Sequence, residues 1–243
     1  MQKFKNKHVV VFGASSGMGR SVSIKLLELG ANISICARRK EHLDEIVSIK
    51  NDCCLGISTD VTNKLQVKKF ILEAIKKFGP IDYLINAAGV MYYQKMTNNG
   101  YDEWLSMVNI NVIGLLNILH SSLESLVESK GMLINITSDA GRQAFPGLAV
   151  YSGTKAFMEF TLRGLRHELV ESGVRVVNIQ PGNVATSLHS MSSEKDAVTD
   201  YKSENDCGFL DPENIADSII YAMSQPAKVA VNEILIEPQS EPI

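Results

Sequence analysis

The chain has 243 residues, 45% of them apolar, with 24 lysines and arginines against 27 aspartates and glutamates, a formal charge of −3. That length and apolar content suit one large core, so a single domain over residues 1–243 is expected. The near-balanced charge, without a long basic run, argues against nucleic acid as a primary partner, and no uninterrupted apolar stretch reaches the roughly 18 residues of a membrane span.

Cys36, Cys53, Cys54 and Cys207 lack metal-ligand spacing and are expected to be free thiols, so no metal is expected. The first residues pass directly into an apolar run and a glycine loop, which predicts no cleaved leader and, with the free thiols, a cytoplasmic protein.

In chain order, residues 8–12 (HVVVF) read as a strand buried on both faces. Gly13, Gly17 and Gly19 follow at G-x-x-x-G-x-G spacing, before a helical pattern through Ile24, Leu26, Leu27 and Leu29. Such a loop, here with Met18 inside it, lets backbone donors at a helix start approach a diphosphate. Ser15 and Ser16 add phosphate or cap donors; the alternative is a purely structural turn. A second strand, residues 33–37, ends at Ala37, with Arg38, Arg39 and Lys40 next. A site for NAD places an acid about twenty residues after the glycine loop to hold ribose hydroxyls. A guanidinium instead pairs with a ribose 2′-phosphate, so the reading is NADP(H), with Arg38 the first candidate and Arg39 the second. A surface charge cluster is the alternative.

Residues 41–49 predict a helix, 55–58 a strand, and a further helix from near Thr62 through Phe78, stopped by Gly79 and Pro80. Asp60 is a candidate cap for that helix. Residues 82–86 lead into Ala87, Ala88 and Gly89, small enough to leave room for a ligand. Met91, Tyr92 and Tyr93 come next, as pocket walls or ordinary loop packing. Residues 101–128 read as one long helix containing Asn109, Asn111 and Gly114; asparagines on an apolar face need partners. Residues 132–137 give a buried strand, 151–171 a helix and 174–179 another strand, broken by Pro181 and Gly182. Residues 187–210 are polar and weakly periodic, as in a substrate lid. Asp211 and Pro212 open a helix to near Ser224, and residues 231–236 form a last strand. The alternation predicts an α/β doubly wound Rossmann fold: a mostly parallel seven-stranded sheet with helices on both faces.

Ser138, Tyr151 and Lys155 are the chemical candidates. Four residues apart, Tyr151 and Lys155 share a helix face, and the strand ending near Thr137 brings Ser138 towards it. A lysine beside a tyrosine favours the phenolate, lowering a pKa that starts near ~10, and a serine hydroxyl can hold a substrate oxygen. The plain alternative is a packed aromatic, a solvated lysine and a turn serine.

The loop GASSGMG at residues 13–19, NAAG at 86–89, Ser138 with Tyr151 and Lys155, and PGNVAT at 181–186 occur in series. In that order they resemble the short-chain dehydrogenase/reductase superfamily over almost the whole chain. The resemblance implies that Asn111 is a fourth catalytic member, holding a water beside Lys155, and that Lys155 also binds the nicotinamide ribose. It implies that Asp60 accepts from the adenine amino group while Val61 donates through its backbone, that Asn86, Ala87, Ala88 and Gly89 border the cofactor, and that Pro181, Gly182, Val184 and Thr186 meet the nicotinamide. Ala87 stands where the family commonly has a second asparagine, which implies weaker bracing of the central sheet. The implied activity is NADP(H)-dependent interconversion of an alcohol and a carbonyl compound by a homodimer or homotetramer. Gln143, Asn183 and His189 are the polar residues near the mouth, which favours a nonpolar or weakly polar substrate. A 3-oxoacyl-thioester reductase, a hydroxy-acid dehydrogenase and a non-enzymatic nucleotide-sensing scaffold are the alternatives.

Overall fold

The computed structural model describes residues 4–192 and 208–241; Cys207 and the central part of the expected lid lie outside them. Seven strands form one sheet: β1 (His8–Phe12), β2 (Asn32–Ala37), β3 (Cys54–Ser58), β4 (Tyr83–Asn86), β5 (Met132–Ile136), β6 (Arg175–Pro181) and β7 (Glu233–Ile236). Their order is β3-β2-β1-β4-β5-β6-β7, and every pairing is parallel. Strand order reverses between β1 and β4, opening a crevice at their carboxyl ends, where doubly wound sheets take ligands.

β1 shows why the sheet is covered on both sides. All five of its residues are buried, and the two-residue period sends alternate side chains to opposite faces. Val9 and Val11 join a core with Leu26 of α1 (Gly17–Glu28), Leu43 of α2 (Lys40–Ile49) and Ile215 of α7 (Pro212–Met223). Val10 and Phe12 join the other, with Phe70 of α3 (Lys64–Phe78), Ile118 of α5 (Gly114–Ser129) and Leu162 of α6 (Ala149–Glu168). Helix α7 opens as expected on Asp211 and Pro212, with a reciprocal capping box to Asn214.

Several boundaries differ from the sequence reading. Helix α3 starts two residues late because Asn63 is its cap, accepting from the Leu65 and Gln66 N–H groups, each at 3.1 Å. Asp60 instead takes the N–H and hydroxyl of Thr62, at 2.9 and 2.8 Å. The long helix is α4 (Tyr101–Met107) and α5 joined by a π-helical turn over Val108–Ile113. By length and composition alone the run Tyr101–Ser129 could cross a membrane; here Leu115, Ile118 and Leu126 bury its inner face in the second core.

An amide row crosses the middle of the sheet. Asn86, Asn135 and Asn178 are register partners on β4, β5 and β6. Asn86 donates to Asn135 Oδ1 at 2.7 Å and accepts the Ala88 N–H at 3.2 Å. The sheet therefore has internal bracing despite Ala87.

Candidate active site

At the crevice, backbone meets backbone. A Cβ on Gly13, whose φ is +77°, would lie 2.6 Å from the Ala87 carbonyl oxygen, and one on Gly19 would lie 2.4 Å from that of Gly13. Only glycine allows this approach, which presses the loop against the end of β4 and brings the α1 N-terminus over the crevice. A cleft of about 420 Å³ results, lined by Gly13, Ser15, Ser16, Gly17, Met18 and Gly19, by Arg38 and Arg39, by Asp60 and Val61, and by Ala87, Ala88, Gly89 and Thr186. Arg39 donates from Nη2 to the hydroxyls of Ser15 and Ser16, each at 3.3 Å, so the guanidinium and the glycine loop face one space. These residues suit a dinucleotide.

The other expected contacts on β4 and after β6 do not line this cleft. Asn86 is inside the sheet, Pro181 ends β6, and the Gly182 N–H is held by the Ile236 carbonyl at 2.9 Å. Val184 is buried in the first core.

The second part of the site begins at the end of β5. Ser138 caps a short turn, Asp139–Gly141, accepting the Ala140 N–H at 3.2 Å while its Oγ donates to Asp139 Oδ1 at 2.8 Å. Helix α6 carries Tyr151 and Lys155, each 5% exposed, with the ammonium 5.6 Å from the phenol ring centre. Burial raises the Tyr151 pKa, a hydrogen bond with Ser138 opposes that, and the Asp139 charge adds to it. The expected lowering of the phenol pKa by Lys155 is therefore not found. Lys155 turns its Nζ to the Ile136 carbonyl at 3.1 Å, and burial lowers its own pKa to about 8 against the opposing charge of Glu159.

Asn111 sits in the π turn, fully engaged by protein. It accepts the Val90 N–H and donates to the Val90 carbonyl and to Thr154 Oγ1, all at 3.0 Å. A Cβ on Gly89 would lie 3.4 Å from Asn111 Oδ1 and 3.7 Å from Lys155 Nζ, so the glycine joins the cleft to the lysine. One amide hydrogen of Asn111 thus holds Val90, in the loop after β4, and the other holds Thr154 of α6.

Beyond Tyr151, Val90, Met91, Tyr93, Met107 and Leu148 form a buried apolar group, with Tyr92, Phe145, Leu188 and Met191 packed on it. The Tyr93 N–H donates to Ser192 Oγ at 2.7 Å, tying the start of the expected lid to this wall. His189 falls on the short turn Ser187–Ser190. The sequence reading missed Asp139 and Glu159. Of these only Asp139 carried a local signal, its position directly after Ser138.

An open parallel sheet with a glycine loop at its switch point, and a tyrosine, serine and lysine beside it, is the architecture of nicotinamide-dependent oxidoreductases. A family model described as short chain dehydrogenase matches residues 7–197, and the chain belongs to that family. It is 46% identical over 241 residues to the glycine betaine reductase ATRR of Emericella nidulans, covering 98% of this chain but only 19% of that protein. The chain thus spans about a fifth of that relative. It is 38% identical over 240 residues to an uncharacterized oxidoreductase of Staphylococcus aureus, covering 98% of this chain and all of the other. Among solved structures it resembles the closed form of a serine dehydrogenase complexed with NADP+, with TM-score 0.88 and 28% identity over 94% of each chain.

Proposed function

We propose that this oxidoreductase interconverts a small carbonyl compound and its alcohol with NADP(H), and that Tyr151 is the proton donor in reduction. The observation that carries the reading is the meeting of three side chains: Tyr151 and Lys155, both buried and one turn apart on α6 with the ammonium 5.6 Å from the phenol ring centre, and Ser138, which bears on the Tyr151 hydroxyl. NADPH, when bound, supplies a hydride to the carbonyl carbon. Tyr151 gives its proton to the carbonyl oxygen, and Ser138 holds that oxygen within reach. Lys155 offers its ammonium to the phenolate left behind and to ribose hydroxyls. Asn111 acts at one remove, fixing Val90 and Thr154. In the oxidation direction Tyr151 takes the proton back.

Two arginines at the end of β2, with no acid there, support the phosphorylated cofactor, as does the likeness to a serine dehydrogenase complexed with NADP+. Glycine betaine and serine, in the names of two similar proteins, are small molecules with nitrogen near the reacting carbon, which favours a small substrate over a long acyl thioester. The test is Tyr151→Phe with NADPH consumption as the readout. Loss of about a hundredfold or more in kcat with cofactor affinity retained is expected; turnover like the wild type's removes Tyr151 from the role.

A further inference from the structure

Helix α5 and the π turn before it reach two walls of the cleft. In the turn, Asn111 fastens Val90. Further along, the buried Asn117 donates from Nδ2 to the Val61 carbonyl at 2.9 Å and to the Thr62 carbonyl at 3.2 Å. Between the two asparagines, Gly114 makes room for Val61. A Cβ there would lie 2.9 Å from Val61 Cγ2 and 3.3 Å from Val61 Cβ. The start of α5 is thus fitted to one loop, the exit of β3.

That loop carries Asp60 and Val61, which both line the cleft. Most of their polar groups are spent on the loop itself. The Asp60 N–H goes to Gln66 Oε1 at 2.9 Å, and the Asp60 carbonyl accepts the Asn63 N–H at 3.0 Å. Asp60 Oδ1 takes both the N–H and the hydroxyl of Thr62, and Asn117 takes the Val61 carbonyl. Two groups of this pair are left without a partner among the described residues: Asp60 Oδ2 and the Val61 N–H. An acceptor and a donor therefore stand side by side on the cleft wall. Without Asn117, two carbonyls packed under α5 would lose their donor, and the turn would have to shift to regain one.

Adenine offers a matching edge: its amino group donates and the neighbouring ring nitrogen accepts. Hypoxanthine reverses both, with a carbonyl oxygen and a ring N–H. The family resemblance implies Asp60 and Val61 for adenine but nothing on α5. Resting on the dinucleotide reading above, we infer that Asn117 is a positioning residue for the cofactor's base. By holding the two carbonyls from behind, it fixes the Asp60–Val61 edge that tells adenine from hypoxanthine. Gly114 serves the same end by letting Val61 seat against α5. Both act through the loop, since neither Asn117 nor Gly114 lines the cleft.

The probes are NADPH and its hypoxanthine counterpart, which differ in the base alone. Calorimetric titration of the apoprotein gives a Kd for each, with no turnover involved. The wild type is expected to favour NADPH by on the order of ten- to a hundredfold. That ratio falls towards one in Asn117→Leu, which keeps the side chain's size and removes both donors. It falls also in Gly114→Ala, which displaces Val61 and leaves the Asn117 amide in place. Arg39→Ala should weaken both dinucleotides alike and keep the ratio. A variant that is partly unfolded titrates fewer sites without changing the ratio, so a merely structural role would not move this readout. Equal affinities in the wild type, an unchanged ratio in Asn117→Leu, or the same fall in Arg39→Ala overturns the inference. Should Asn117→Leu not fold, Gly114→Ala decides it by the same criterion. If both dinucleotides bind and only the ratio fails, the dinucleotide reading stands on its own; if neither binds, both fall.

Discussion

Lys155 and Glu159 stand one turn apart on α6 and are tied to consecutive residues of one strand exit. The lysine ammonium donates to the Ile136 carbonyl, and the glutamate carboxylate accepts the Thr137 hydroxyl. Asn178 Nδ2 donates to the same carboxylate at 2.6 Å, and Glu159 is 1% exposed. The acid thus anchors α6 to β5 and β6 and opposes the loss of charge on Lys155.

Glu159→Gln keeps the size of the side chain and removes its charge, so Lys155 should deprotonate at lower pH. The alkaline limb of the pH–rate profile is expected to move towards neutrality. Glu159→Leu leaves the Asn178 amide without its partner, while the Thr137 hydroxyl keeps the Ile179 carbonyl at 3.0 Å, and should cost about 1–3 kcal/mol of stability. A pH profile of Glu159→Gln that superimposes on the wild type's would limit Glu159 to the anchoring role.

The stability of the apoprotein should carry the mark of Lys155. Its pKa is 10.5 in an unfolded chain and about 8 when folded. Between those values the unfolded chain binds more protons, so this residue makes stability rise with pH across the window. Tyr151 has the opposite sign: its raised pKa keeps the phenol neutral in the fold, and stability falls above its ordinary value of 10.0. Thermal denaturation from about pH 8 to 10 should therefore show the wild type gaining on Lys155→Met. A constant difference between the two would contradict the depressed pKa.

How much of this was legible in the sequence depends on the range of the interaction. The strand of HVVVF and the glycine loop are local patterns, and both stand where the residues put them. The π turn was not legible, since one extra residue per turn leaves the composition of 108–113 helical. Asp60 and Asn63 are both competent caps, and only the path of the chain chooses Asn63. Asn117 was hidden for another reason: the carbonyls it holds belong to a loop far earlier in the chain, brought there by α3 packing against α5.

Cofactor choice should depend on Arg39 more than the sequence order of preference suggests. Both arginines line the cleft, but it is Arg39 that reaches Ser15 and Ser16. Arg39→Ala is expected to weaken NADPH about ten- to a hundredfold and NADH little, as loss of a charge-assisted phosphate contact does. Arg38→Ala should show a smaller effect of the same kind. Titration of each variant with both cofactors checks this, and equal losses for the two cofactors would refute phosphate recognition.

Self-association is expected through the helices outside the second core. Tyr101 and Leu105 on α4 and Phe157 and Phe160 on α6 are exposed large apolar side chains on helices that pack together. Sedimentation equilibrium at micromolar concentration should return a dimer or tetramer, and Phe160→Glu should shift it towards monomer. A monomeric wild type would dispose of the expectation.

The amide row of Asn86, Asn135 and Asn178 has a consequence for how the sheet finds its pairing. A β-strand slipped by one residue turns every side chain to the opposite face. Where strands carry valine, isoleucine and leucine on both faces, such a slip exchanges one greasy surface for another and is weakly opposed. With an asparagine at matching positions of three adjacent strands, the slip would strand amides among hydrocarbon on both faces, each at about 1–3 kcal/mol. The row therefore works as a key that only one alignment of β4, β5 and β6 turns. That alignment is also the one that delivers Gly89, Ser138 and Pro181 to the same edge of the sheet.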